Sequence, residues 1–200
     1  PKALLPIISS SSDGKKQVAP ALTHLLDQLF SVNTGIDEVC IVASEYQLPI
    51  LDRYFSTLED KTRQKVSTVI QKSPLGFGDA VKRTERYVGK EDFIVHAGDV
   101  TILSKLKHPV LRLIKTAKKN PDVKAILLCK KVKDLKRYGV PTINKLSNNL
   151  FSVQEVIEKP NKPKSEFGIL PIYYFKSDIF SSLKKIKPGK GKEYQLTDAI

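Results

Sequence analysis

An α/β fold, built on a mixed but mostly parallel sheet flanked by helices, is what this sequence predicts, and three observations predict it. Segments of helical period and β-branched runs take turns over most of the chain, the pattern of strands joined by crossover helices. After Tyr138 the rhythm changes to two strand-like runs with no helix between them, which adds an antiparallel or mixed section to the sheet. The 200 residues, 40% apolar and 28% charged, suffice for one sizeable core, so a single domain over residues 1–200 is expected.

Each element has its own local reason. Val18, Leu22, Leu25, Leu26, Leu29 and Phe30 recur at helical spacing, and Gly35 ends that pattern before the strand Val39-Cys40-Ile41-Val42. Leu48, Leu51, Tyr54, Phe55 and Leu58 repeat the helical period, with Pro49 tolerated in a first turn, and Val66–Ile70 reads as the next strand. Helix 79–88, strand Phe93-Ile94-Val95, helix 110–117 and strand Ala125-Ile126-Leu127-Leu128 continue the alternation. Residues 151–157 and 169–175 form the two late strands, joined by the polar loop 161–166, and a last helix runs over 179–186. No internal repeat is present, and only residues 9–12 are of low complexity.

Composition narrows the functional classes. No apolar run approaches the roughly 20 residues of a membrane span and no basic-then-apolar leader opens the chain, so a soluble cytoplasmic protein without a membrane partner is expected. The net charge of +13 attracts phosphates of any kind. Its lysines are spread over 61–72, 105–136 and 159–192 with few interleaved aromatics, so most read as solvated surface; nucleic-acid binding rests on charge alone and is not expected. Cys40 and Cys129 each lie inside an apolar β-rich run and read as buried thiols. His24, His96 and His108 have no metal-ligand spacing with each other or with the cysteines. No P-loop, CxxC or Ser-His-Asp order is present.

Open α/β sheets bind ligands beyond the carboxyl ends of their strands, so residues just after each strand bear closest reading. After Val66–Ile70 comes Gln71-Lys72-Ser73-Pro74-Leu75-Gly76-Phe77-Gly78-Asp79-Ala80, a glycine turn opening a helix. The Gln71 amide offers a donor and an acceptor, which suits a nucleobase edge, and Gly76 lets backbone approach a flat ring. After strand 93–97 comes Gly98-Asp99, a carboxylate suited to Mg²⁺ held against phosphates. After 153–157 comes Glu158-Lys159-Pro160, an acceptor for sugar hydroxyls beside a cation for a phosphate. Taken singly, each of these is also an ordinary turn or surface loop.

Their order and company resemble one family. Pro1-Lys2-Ala3-Leu4-Leu5-Pro6 is similar to the Pro-Lys-x-Leu-Leu-Pro segment that ends the signature loop of nucleoside-diphosphate-sugar pyrophosphorylases. The likeness continues through residues 71–81, Gly98-Asp99, Tyr138-Gly139-Val140, Val156-Ile157-Glu158-Lys159-Pro160 and residues 191–200, and so covers essentially the whole chain. The closing Glu-x-Gln-Leu-Thr-Asp-Ala-Ile and the Leu-Gly-x-Gly-x-Ala-Val turn are most similar to bacterial-type UTP:glucose-1-phosphate uridylyltransferases; the thymidylyltransferase branch fits these two less well.

The resemblance implies a Rossmann-like sheet of the nucleotide-diphospho-sugar transferase type, with UTP (or dTTP) and a sugar 1-phosphate as substrates, Mg²⁺ as cofactor, and room for a homo-oligomer. It assigns Lys2 to the triphosphate, Gln71 and Gly76 to the pyrimidine, Asp99 to Mg²⁺, Gly139 to a backbone contact with the sugar, Glu158 to a sugar hydroxyl and Lys159 to the sugar phosphate. Lys2, Asp99 and Lys159 would thus form the catalytic set. The family's glycine-rich, arginine-containing loop, which precedes the position of Pro1, and its second metal-binding aspartate, beyond the position of Ile200, are absent from this stretch. Pro171 stands where the family usually has glycine, and residues 9–16 look like an insertion near the nucleotide. A non-catalytic relative that binds nucleotide sugars in a regulatory role is the second reading that these departures leave open.

Overall fold

The computed structural model describes residues 1–10, 16–31, 34–100 and 109–200. It opens with the antiparallel hairpin β1 (Pro6–Ser10) and β2 (Lys16–Pro20), followed by α1 (Ala21–Leu29). Next come β3 (Val39–Ala43), α2 (Leu48–Phe55), the short α3 (Asp60–Arg63), β4 (Val66–Ile70), α4 (Phe77–Arg83), α5 (Glu85–Val88) and β5 (Phe93–His96). The remainder is α6 (Pro109–Lys119), β6 (Ala125–Lys131), β7 (Gly139–Ser147), β8 (Leu150–Glu158), β9 (Phe167–Phe175) and α7 (Ile179–Leu183). The expected insertion at residues 9–16 falls on β1 and β2 at its two ends; residues 11–15 lie outside the described residues.

The mixed α/β class holds, but the share of parallel pairing is smaller than the alternation suggests. β3 and β4 pair in parallel, whereas β9 lies between β5 and β6 and runs antiparallel to both. β5 and β6 therefore point the same way, as crossover strands should, with one late strand inserted between them. β7 and β8 form a separate antiparallel hairpin. The alternating side chains of β9 face two helical layers, as a strand buried on both sides requires. Ile169, Tyr173 and Phe175 pack with Val81 of α4 and Ile179, Phe180 and Leu183 around α7. Ile172 and Tyr174 pack with Leu29 and with Val110, Leu113 and Ala117 of α6.

Several boundaries differ from expectation for local reasons. The first helix starts at Ala21 and not near Val18, because Pro20 fixes an extended backbone (φ −53°, ψ 141°) and biases Ala19 away from helix. Helix 79–88 begins earlier, at Phe77, and breaks at Thr84, whose hydroxyl donates to the Val81 carbonyl at 2.7 Å. β7 was hidden by Gly139 and Pro141, two residues poor in strands. Pro171, although in a central strand, is accommodated by an irregularity: Leu127 pairs with Tyr173 but Cys129 with Ile169, so residues 170–172 face Leu128 alone. On its other side the Pro171 carbonyl accepts from the Ala97 N–H at 3.0 Å. Both cysteines are partly buried and free, and burial pushes both thiols up, Cys129 to about 12.

Phe175 is wholly buried, stacks on Tyr173 at 5.5 Å and meets the Phe93 ring at 6.0 Å. Phe175→Ala should cost about 3–5 kcal/mol, read as a lowered urea midpoint at unchanged slope; a cost under 1 kcal/mol would show that this strand is not the centre of the core.

Candidate active site

The turn after β4 is held by its own side chains. The Gln71 N–H extends the sheet by donating to the Ala43 carbonyl at 2.7 Å. Its side-chain amide nitrogen donates to the Gly76 carbonyl at 3.1 Å and to Asp79 Oδ2 at 2.8 Å. Arg83, one turn further along α4, donates from Nε to the same Asp79 oxygen at 2.8 Å. Both partners of Gln71 are acceptors only, so both amide hydrogens are engaged and the oxygen is the group left for a ligand. The expected donor-plus-acceptor pair is corrected: Gln71 has only an acceptor to offer a ligand.

The glycines of this turn answer to a neighbouring segment. Gly76 has φ +100°, and a Cβ there would lie 2.8 Å from Glu193 Cβ and 2.9 Å from the Tyr194 carbonyl oxygen. A Cβ on Gly78 would lie 2.8 Å from that same oxygen. The space expected to admit a flat ring is thus filled, on the side-chain face of Gly76, by the backbone of Tyr194. Two hydrogen bonds lace the strips together, Tyr194 N–H to the Leu75 carbonyl at 2.7 Å and Gly78 N–H to the Tyr194 carbonyl at 2.8 Å.

Asp99 follows β5 and meets Lys2, which the turn Lys2–Leu4 brings from a distant part of the sequence. Lys2 Nζ lies 3.6 Å from Asp99 Oδ2, with the side chains 80% and 47% exposed. So exposed a pair contributes at most about 1 kcal/mol to folding, and both groups stay within reach of a polyanion and its counter-ion. Among the described residues no group of three or more His, Cys, Asp or Glu converges on a metal position; His108 lies outside them. One accessible carboxylate without a protein cage still fits Mg²⁺, which is commonly held by one or two carboxylates, substrate phosphates and water.

The third group lies at the end of β8. Successive side chains of a strand point to opposite faces, but Lys159 adopts φ +46° and turns its ammonium back to 3.4 Å from Glu158 Oε1. A left-handed lysine costs about 1–3 kcal/mol, and strain of this kind clusters at functional sites. The Lys159 N–H donates to the Tyr138 carbonyl at 3.0 Å, which holds the bend. Glu158, 18% exposed, accepts at Oε2 from the buried Thr197 hydroxyl at 3.1 Å. Gly139 stands opposite Glu158 in the ladder, where a Cβ would lie 2.8 Å from Thr197 Cγ2 and 3.2 Å from Glu158 Oε2. The glycine keeps those two partners together. Tyr173 lies within the field of Glu158; burial first, and that charge second, push its hydroxyl upward.

The seven predicted residues therefore gather into three groups, Lys2 with Asp99, Gln71 with Gly76, and Gly139 with Glu158 and Lys159. Four further residues complete them: Asp79, Arg83, Tyr194 and Thr197. The spacing of Asp79 and Arg83 was a visible signal for an i,i+4 pair. Tyr194 and Thr197 lie inside the closing Glu-x-Gln-Leu-Thr-Asp-Ala-Ile motif, but nothing local gives them a role, because their partners lie far away in sequence.

Known proteins share this arrangement of chain. The Nucleotidyl transferase family matches residues 4–200. A UTP–glucose-1-phosphate uridylyltransferase of Bacillus subtilis is 28% identical, over 100% of this chain and 70% of its own length. The enzyme of that name from Mycoplasma pneumoniae is 29% identical, over 100% and 72%. A crystal structure of UDP-glucose pyrophosphorylase complexed with UDP-glucose superposes with a TM-score of 0.84 at 26% identity, covering 100% of this chain and 76% of that one. A putative glucose-1-phosphate thymidylyltransferase from Bacillus anthracis shares the fold, with a TM-score of 0.76 at 23% identity, covering 99% and 72%.

Alanine within a helix is ordinarily more stable than glycine by about 1 kcal/mol. At Gly78 the sign should reverse, because the new methyl meets a backbone carbonyl that its own N–H must hold. Gly78→Ala should destabilise the protein by about 1–3 kcal/mol in thermal melts; a stabilised variant would show that the Tyr194 strip is not tightly seated.

Proposed function

This chain belongs to the nucleotidyl transferase family, and we propose that it joins UTP to glucose 1-phosphate, forming UDP-glucose and releasing pyrophosphate. The relatives named UTP–glucose-1-phosphate uridylyltransferase, similar along all of this chain, support the choice of substrates. The observation that carries the reading is the pairing of two kinds of recognition on one segment. The turn that leaves the Gln71 oxygen for a ligand and the carboxylate–ammonium pair Glu158–Lys159 are both anchored on residues 194–197. Residues 1–200 act in this reading as one nucleotidyltransferase domain.

The roles follow from charge and hydrogen-bonding capacity. An oxygen of the sugar phosphate attacks the α-phosphorus of UTP in line, a new P–O bond forms, and the bond from that phosphorus to the β-phosphate bridging oxygen breaks. Pyrophosphate carries away the electron pair, and no covalent enzyme intermediate is needed. The obstacle is repulsion between two polyanions brought within bonding distance, so positioned positive charge is the main catalytic device. Lys2 faces the triphosphate and Lys159 the sugar phosphate. Glu158 accepts a hydrogen bond from a sugar hydroxyl near Gly139, and the Gln71 oxygen accepts the N3–H of uracil at the Gly76 turn. The family's need for a divalent metal falls to Asp99, with Mg²⁺ as the ion its carboxylate suits. Such an ion, when bound, neutralises phosphate charge and stabilises the leaving pyrophosphate.

In the full-length protein, pyrophosphate release should require UTP, glucose 1-phosphate and a divalent cation together. Asp99→Asn should lower turnover roughly 100-fold while leaving the melting temperature in place, since the pair with Lys2 is exposed. Lys159→Ala should raise KM for glucose 1-phosphate far more than KM for UTP. Faster turnover with ATP or GTP than with UTP would overturn the uridylyl assignment. Near-normal turnover in Asp99→Asn would remove Asp99 from the metal role.

A further inference from the structure

We propose that Asp79, backed by Arg83, is the positioning residue that sets base choice, by locking the Gln71 amide with its oxygen toward the ligand; this rests on the uridylyl reading above. A glutamine amide is nearly the same shape in its two orientations. Turned one way it presents an acceptor to N3–H of uracil, and turned the other way it presents a donor to the N3 lone pair of cytosine. Gln71 alone would therefore discriminate poorly between the two pyrimidines.

The structure removes that freedom. The amide nitrogen donates to two acceptors at once, the Gly76 carbonyl at 3.1 Å and Asp79 Oδ2 at 2.8 Å. Turning the amide over would set its oxygen against both, leaving the Gly76 carbonyl without this donor and Asp79 Oδ2 with Arg83 alone. The Asp79 bond is charge-assisted, and its side chain is only 12% exposed, so little water competes for it. Arg83 Nε, at 2.8 Å on the same oxygen, offsets the carboxylate's charge and holds it from the next turn of α4. Asp79 thus acts through Gln71, and its effect should fall on the choice of base and not on the phosphate chemistry.

The test is the affinity of the full-length protein for UTP and for CTP, by calorimetric titration, in wild type, Asp79→Ala and Asp79→Asn. Asparagine keeps the volume but offers one oxygen, for which Arg83 competes, and a donor that attracts the Gln71 oxygen; it is read in place of alanine should alanine prevent folding. Wild type should favour UTP by at least about 10-fold, and both variants should lower that preference by at least about 3-fold, the Gly76 carbonyl alone still holding the amide. An unchanged ratio, or equal weakening of both nucleotides as a merely structural role would produce, overturns the inference while leaving the uridylyl reading intact. A wild-type protein that binds UTP no better than ATP overturns that reading and the inference with it.

Discussion

Residues 193–199 are the part on which two of the site's three groups depend. Leu196 and Ala199 are buried in the main core with Ile169, Phe175 and Leu183, so the segment is anchored by apolar burial before any polar contact is made. From that anchor the Tyr194 backbone bonds to Leu75 and Gly78, and the Thr197 hydroxyl bonds to Glu158. One short stretch thereby fixes the turn that carries Gln71 and the strand end that carries Glu158 and Lys159. Glycine is needed at 76, 78 and 139 because this stretch occupies the space that their side chains would take.

The sheet supplies the framework beneath. β9, buried on both faces, ties β5 to β6, and the ladder irregularity at residues 170–172 accommodates Pro171, which has no N–H to give to the ladder. The same proline accepts the Ala97 N–H and so continues β5 up to the Gly98-Asp99 corner. Asp99 and Lys2 then project from rigid backbone while their side chains remain accessible. The chain passes from partly buried strand to exposed site within four residues, from His96 to Asp99.

What could be read in the sequence was whatever depends on near neighbours. Val66–Ile70, the helix around Leu48–Phe55 and the partly buried thiol of Cys129 all follow from local period or local apolarity. The antiparallel section after Tyr138 follows from the loss of crossover helices there, but the insertion of β9 between β5 and β6 and the existence of β7 do not, because strand pairing joins distant residues and Gly139 and Pro141 disguise the second. In the candidate site, residue identities were legible but their reasons were less so. By sequence Gly76 offers room for a ring, whereas Tyr194 takes its side-chain face; by sequence Gln71 offers donor and acceptor, whereas Gly76 and Asp79 consume its donors. In each case the deciding partner lies on a side chain or strip that periodicity does not reveal.

If residues 193–199 couple the two sides of the site, disturbing one side must be felt at the other. Thr197→Val removes the bond to Glu158 while keeping the buried shape, and hydrogen exchange can follow the amides of Gly78 and Tyr194 on the nucleotide side. The loss of one hydrogen bond, about 1 kcal/mol, should lower the protection of both amides together by roughly 5-fold. Unchanged protection at Gly78 and Tyr194 in that variant would contradict the coupling.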